Sequence, residues 1–92
     1  MPFVYMVACS DGTLYTGWTT DVGARVEAHN AGRGSRYCAQ RRPVRLVYQE
    51  ELPDRSAAQC REIAIKRLKR RKKLELIELA GGRLPTGRRG LE

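Results

Sequence analysis

The residues able to do chemistry are the phenols of Tyr5 and Tyr15, the guanidinium of Arg25, the imidazole of His29 and the carboxylate of Glu62. Tyr5 and Tyr15 flank a Ser10-Asp11-Gly12 turn, and Arg25 and His29 are spaced i,i+4, one helical turn apart. Glu62 is the only acid between Arg61 and Lys73, a stretch holding eight basic residues. A phenol can exchange a proton, and a planar guanidinium can bond two phosphate oxygens at once, a role lysine does not match. One carboxylate suits a hard cation that keeps most of its own water. The set therefore fits chemistry at a phosphate. No second acid is paired with Glu62, which speaks against a two-metal site and against acid/base work by two carboxylates.

Each residue also has a plain structural reading. The tyrosines can be cross-strand core aromatics, His29 a packed histidine and Arg25 a surface cation. Glu62 can form a helical ion pair with Lys66 four residues on, worth about 0.2–0.5 kcal/mol.

Placing the two phenols together depends on one turn. Asp-Gly between two apolar, β-prone runs is a strong hairpin signal, because glycine supplies the positive φ the turn requires. A two-residue loop sets Ala8 opposite Tyr15 and puts the rings on opposite faces. A three-residue loop with Gly12 left-handed sets Val7 opposite Tyr15 and Tyr5 opposite Gly17, so both phenols share a face. The second register is preferred, since Gly12 sits at the loop's third position and Gly17 leaves room beside the Tyr5 ring.

Phe3 to Cys9 is apolar at nearly every position, which suits a strand covered on both faces. Thr13 to Trp18 reads as the second strand. Thr19-Thr20-Asp21 offers oxygens to cap a helix from Val22 to Asn30 or Ala31, buried through Val22 and Val26 and ended by Gly32. Gly32 to Arg42, with four arginines around Tyr37 and no apolar periodicity, reads as a basic loop. Val44 to Glu50 is the third strand, with Val44, Leu46 and Tyr48 alternating against Arg45, Val47 and Gln49. From Ser56 to Leu68 the stripe Ala57, Cys60, Ala64, Leu68 lies beside a second one, Ala58 and Ile65 next to Glu62, so this helix can touch two neighbours. A last helix from about Arg71 to Leu79 is apolar through Leu74, Leu76 and Ile77. The order β-β-α-β-α-α gives an α/β fold: a three-stranded antiparallel sheet flanked by helices. One domain ends near residue 80, and residues 81–92 read as a disordered basic tail.

Composition narrows the partner. Eighteen Lys and Arg against ten Asp and Glu leave a net charge of +8, and no Lys or Arg precedes Arg25. Such a basic surface reads first as a nucleic-acid footprint. A solvated helix face is the plainer alternative, and a membrane surface fits poorly because the basic helical stretch lacks Trp and Phe anchors. Cys9, Cys38 and Cys60 are odd in number and lack CxxC spacing, so neither a disulfide framework nor a zinc site is indicated. With no signal peptide and no apolar run of spanning length, a cytoplasmic protein is expected.

Taken in order, these residues resemble the GIY-YIG nuclease domain, above all its small stand-alone bacterial members, over residues 2 to 79. Val4-Tyr5-Met6 stands for Gly-Ile-Tyr, and Tyr15-Thr16-Gly17 stands for Tyr-Ile-Gly. Arg25, His29, Asn30 and Gly32 follow on the first helix, and Glu62 on the next long one. The first motif lacks its glycine and isoleucine, and threonine replaces the second motif's isoleucine. These departures touch backbone packing more than chemistry. The resemblance implies that Tyr5 activates water while Tyr15 and His29 position it or share its proton. It further implies that Arg25 holds phosphate and Glu62 binds Mg²⁺ or Mn²⁺.

The expected function is a divalent-metal-dependent endonuclease on branched, flapped or nicked nucleic acid, DNA ahead of RNA, with no membrane role and no assigned protein partner. Nucleic-acid contacts are expected from Arg33, Arg36, Tyr37, Arg41, Arg42, Lys66 and Lys69. Tyr37 either stacks on an unpaired base or closes the loop over the core. The alternative function is a binding module on the same scaffold with little or no turnover.

Overall fold

In the computed structural model, which describes residues 1–80, Ser10-Asp11-Gly12 closes the hairpin as a three-residue loop. The Cys9 N–H donates to the Thr13 carbonyl at 2.8 Å, the Gly12 N–H donates to the Cys9 carbonyl at 3.0 Å, and Gly12 takes a φ of +87°. The Asp11 carboxylate accepts from both the Thr13 hydroxyl and its N–H, which fixes the far side of the turn. Strand β1 (Phe3–Ala8) thus pairs with β2 (Leu14–Thr19) with Val7 opposite Tyr15 and Tyr5 opposite Gly17, the preferred register. The expected tail, 81–92, lies outside the described residues.

Strand β3 (Arg45–Glu51) runs antiparallel on the other side of β1, giving the order β2-β1-β3. The central position of β1 accounts for its apolar run, because Val4 to Ala8 are buried on both faces. On one face, Val4, Met6 and Ala8 pack against Ala58 and Ile65 of α3 (Arg55–Lys66) and Ile77 of α4 (Arg70–Leu79). On the other, Tyr5, Val7 and Cys9 meet Val22 of α1 (Val22–Asn30) and Cys38 of α2 (Arg36–Ala39). Helices therefore cover both sides of a three-stranded antiparallel sheet.

Three expectations need correction. The Gly32–Arg42 stretch is not all loop: Ser35 caps the single-turn helix α2 by accepting from the Cys38 N–H at 3.1 Å, and the Cys38 side chain is wholly buried. Four residues are too few to show periodicity. In β3 the register shifts opposite Met6 and Val7, leaving Val47 as an extra residue. Val44 and Leu46 accordingly join the Tyr5 face, whereas Val47 and Tyr48 both join the Val4 face, breaking the expected alternation. On α3 the stripe through Cys60 and Ala64 is exposed, and Ala58 and Ile65 face the core. Burying Ile65 removes more apolar area than burying a thiol and small alanines.

Asp21 caps α1, accepting from the Ala24 N–H at 3.0 Å. At its far end the Gly32 N–H donates to the His29 carbonyl and the Arg33 N–H to the Ala28 carbonyl, turning the chain away. Asn30 then clamps the start of the third strand. Its Nδ2 donates to the Val44 carbonyl at 3.0 Å and its Oδ1 accepts from the Val44 N–H at 2.6 Å. Asn30→Ala leaves both buried backbone groups without this partner, and the expected loss is about 1–3 kcal/mol in a urea titration. An Asn30→Ala midpoint equal to the parent's would show that the clamp is idle.

Candidate active site

Tyr5 is 1% exposed, and its ring lies across Gly17 on the neighbouring strand. A Cβ at residue 17 would stand 2.7 Å from the Tyr5 Oη. Glycine is therefore required there by the close approach of the ring. The Oη reaches 2.8 Å from His29 Nε2 on α1. His29 is itself fully buried, with the Tyr15 ring edge-on to it at 5.4 Å and the Gly34 backbone pressed against its other edge. Both tyrosines and the histidine thus form one packed cluster, as the shared face requires.

Burial drives the charge state of this cluster. The Tyr5 phenol is pushed well above its ordinary value, by desolvation first and by neighbouring Tyr15 second, with Arg25 opposing. His29 is pushed below its ordinary value by burial and then by Arg25. Both groups are accordingly neutral at pH 7. His29 Nδ1 is buried without a hydrogen-bond partner among the described residues. A hydrogen on Nδ1 would be an orphaned donor, whereas a hydrogen on Nε2 donates to the Tyr5 oxygen and leaves only a lone pair unmatched. The second tautomer is the cheaper one, and it turns the phenol's own hydrogen away from the imidazole.

In front of Tyr5 opens a cavity of about 400 Å³. Tyr15, Arg25 and Glu62 share its wall with Tyr5, so the structure brings four of the five sequence-derived site residues to one hollow. His29 supports that wall from behind and does not line it. Thr19, Thr20 and Arg55 also line the cavity and were missed in the sequence. Arg55 had a readable signal: it precedes Glu62 by seven residues, two turns, and so shares its helix face.

The Glu62 side chain is 19% exposed, and its Oε2 lies 3.2 Å from Lys66 Nζ. The plain ion-pair reading and the cavity reading therefore hold together. Lys66 Nζ also stands 5.9 Å from the Tyr15 ring centroid. Among the described residues, neither Arg25 nor Arg55 has a carboxylate partner.

The other basic candidates divide. Arg41 is engaged: its Nε donates to Asp11 at 3.0 Å, its Nη1 donates to the Tyr37 carbonyl, and its guanidinium lies 3.8 Å from the Tyr37 ring centroid. Tyr37, stacked at 5.8 Å on Tyr15 and covered by Arg41, closes the loop over the core. Arg42 donates to the Ala39 and Asn30 carbonyls. Arg33, Arg36 and Lys69 are exposed, with no side-chain partner among the described residues.

The depressed His29 value fixes a stability trend. The unfolded imidazole takes a proton below about pH 6.5, while the folded one resists it, so unfolding releases less stability at lower pH. Stability should be full above about pH 6.5 and fall as the pH drops below it toward the depressed folded value, at no more than about 1.4 kcal/mol per pH unit. Urea midpoints at several pH values, with His29→Gln beside the parent, check this. A parent curve as flat as the variant's would contradict it.

A family model described as the GIY-YIG catalytic domain matches residues 1–75. UPF0213 proteins of Staphylococcus aureus strains Mu3 and N315 are each 58% identical over 76 residues, covering 83% of this chain and 93% of theirs. The solution NMR structure of the UPF0213 protein BH0048 from Bacillus halodurans superposes with a TM-score of 0.58 at 43% identity, covering 89% of this chain and 88% of that one. The chain belongs to the GIY-YIG family, among its small UPF0213 members.

Proposed function

We propose that this protein is a divalent-metal-dependent endonuclease of the cytoplasm that hydrolyses phosphodiester bonds in structured DNA. The observation that carries the reading is the single cavity shared by Tyr5, Tyr15, Arg25 and Glu62. Arg25 forks two oxygens of the scissile phosphate and stabilises the charge they gain. The Tyr5 oxygen, held by the His29 Nε2–H, first loses its own proton to solvent and as phenolate then takes a proton from the attacking water. The water oxygen bonds to phosphorus, the ester bond opposite it breaks, and the leaving oxygen carries off the electron pair.

The donor set fits Mg²⁺ or Mn²⁺. Glu62 is one hard oxygen ligand in a cavity that Thr20 also lines, and among the described residues no three His, Cys, Asp or Glu gather. Such an ion keeps several waters and leans on substrate phosphate, so it is bound weakly by the protein alone. When bound, it supplies positive charge to the leaving oxygen. Such an ion would have to compete with Lys66, whose Nζ lies 3.2 Å from Glu62 Oε2.

The charge distribution supports a polyanionic substrate. Arg70, Arg71, Lys72 and Lys73 crowd the first turn of α4, where the helix dipole disfavours cations; no acid lies in that turn, and of the four only Lys72 has a carboxylate partner among the described residues, Glu75 at 3.5 Å. A phosphate backbone at that end removes the penalty. The Glu62–Lys66 pair is the one observation favouring the other reading, a binding module whose acid is permanently occupied.

A cleavage screen over nicked, flapped and branched DNA and matching RNA, with Mg²⁺ or Mn²⁺, separates the two. The parent is expected to cut and Glu62→Ala to bind with little change but lose at least a hundredfold in rate. Equal cutting by both, or none by the parent, removes the nuclease reading. The raised Tyr5 value sets a second expectation: the phenolate fraction grows with pH, so single-turnover rates should climb by about tenfold per unit from pH 7 to 9. Tyr5→Phe should abolish the climb. A profile already flat across pH 7 to 9 would instead point to His29, whose proton is lost below its ordinary value, as the acceptor.

A further inference from the structure

Arg55 is an exposed residue in the first turn of α3, and it lines the same cavity as Arg25. Two fixed cations therefore share a hollow whose single carboxylate, Glu62, is already matched by Lys66. Among the described residues nothing anionic offsets Arg25 and Arg55, so the cavity as built is short of negative charge. Arg55 precedes Glu62 by seven residues on one helix face, so its backbone stands about 10 Å from the acid's along the α3 axis, at the end of the helix away from the Glu62–Lys66 pair. Thr20, just after β2, lines the same cavity and carries a hydroxyl able to donate to phosphate oxygens, whereas the Thr19 hydroxyl is engaged with the Asp21 backbone.

We infer that Arg55, assisted by Thr20, binds the phosphate next to the scissile one on the cleaved strand, while Arg25 holds the scissile phosphate itself. This rests on the nuclease reading for the choice of scissile position, but binding alone can test it. Arg55 acts on substrate affinity and strand register, and the bond-breaking step belongs to Tyr5, Arg25 and Glu62. A guanidinium suits the task because it forks two oxygens and stays charged at every working pH.

The test uses the full chain and flapped DNA duplexes in chelator, read by fluorescence anisotropy. One set of duplexes is unmodified, and the others each carry one neutral methylphosphonate stepped through the strand on either side of the branch. Against unmodified DNA, Arg55→Ala is expected to weaken binding by about five- to tenfold near 0.1 M salt and to lower the slope of log affinity against log salt by about one. Arg55→Lys should restore the slope and only part of the affinity. At one methylphosphonate position the parent should lose the same factor while Arg55→Ala loses nothing more. With Mg²⁺ present, that position should neighbour the mapped cut, and Arg55→Ala should raise KM with kcat within twofold of the parent.

Equal affinity of parent and Arg55→Ala overturns the inference, as does a variant that responds to every methylphosphonate as the parent does. So does a parent that fails to bind. Thermal melting of Arg55→Ala, expected to match the parent, separates contact loss from unfolding, and a lowered melting point with restored binding below it also overturns the inference. A parent that binds in this pattern but never cuts sinks the nuclease reading and leaves the backbone contact standing. A parent that cuts while Arg55→Ala binds equally well sinks only the contact.

Discussion

The buried hydrogen bond between the Tyr5 phenol and His29, 2.8 Å long, is the constraint to which much of the fold answers. Bringing a strand residue and a helix residue to that distance needs space on both sides. Gly17 gives it to the phenol and Gly34 to the imidazole, and a Cβ at either place would overlap the ring it faces. The β1–β2 register is thereby restricted to the one that sets Tyr5 opposite Gly17. The path after α1 is restricted too, because Gly34 must pass against His29 before Ser35 starts α2. Asn30, gripping Val44 from the end of α1, then fixes where β3 begins. Hairpin, helix end and third strand are thus positioned around one buried polar pair.

That pair also creates an electrostatic conflict. The fold prefers Tyr5 and His29 neutral, since burial raises the cost of charge on either. Proton abstraction from water requires the phenol to become negative. The cavity offsets part of this from its open side, where Arg25 opposes the upward push on the phenol. An exposed guanidinium is screened by solvent, so its effect grows when water is excluded from the hollow. On the proposed reading, covering the hollow with a phosphate backbone would thus favour the phenolate.

Much of this was legible in the sequence, and the failures share a cause. Asp11-Gly12 announced the turn, and the glycine at 17 opposite a tyrosine chose the register. The uninterrupted apolar run of Phe3 to Cys9 required cover on both faces, and helices supply it. Elements shorter than their own period were not legible. The one-turn α2 leaves no repeat to detect, and the extra residue Val47 shifts the side-chain alternation with no local mark in composition. The buried stripe of α3 was ambiguous because two stripes of similar hydrophobicity adjoin, and only the larger Ile65 separates them. Among the basic residues, composition gave the total and not the division of labour. Arg41 and Arg42 hold the loop to backbone carbonyls and Asp11, whereas Arg55, overlooked in a helix start, faces the cavity.

Glu62 shows how one side chain answers to both stability and chemistry. As an i,i+4 partner of Lys66 it is worth a few tenths of a kcal/mol, a modest gain that a divalent ion can readily displace. The pairing also sets the charge of the cavity. With Lys66 on Glu62, the acid does not cancel Arg25 or Arg55, so the hollow carries an excess of positive charge. On the proposed nuclease reading, a phosphate held by Arg25 would supply the further oxygens that one carboxylate lacks for a hard cation, and Lys66 could withdraw toward the Tyr15 ring, over which its ammonium already stands at 5.9 Å.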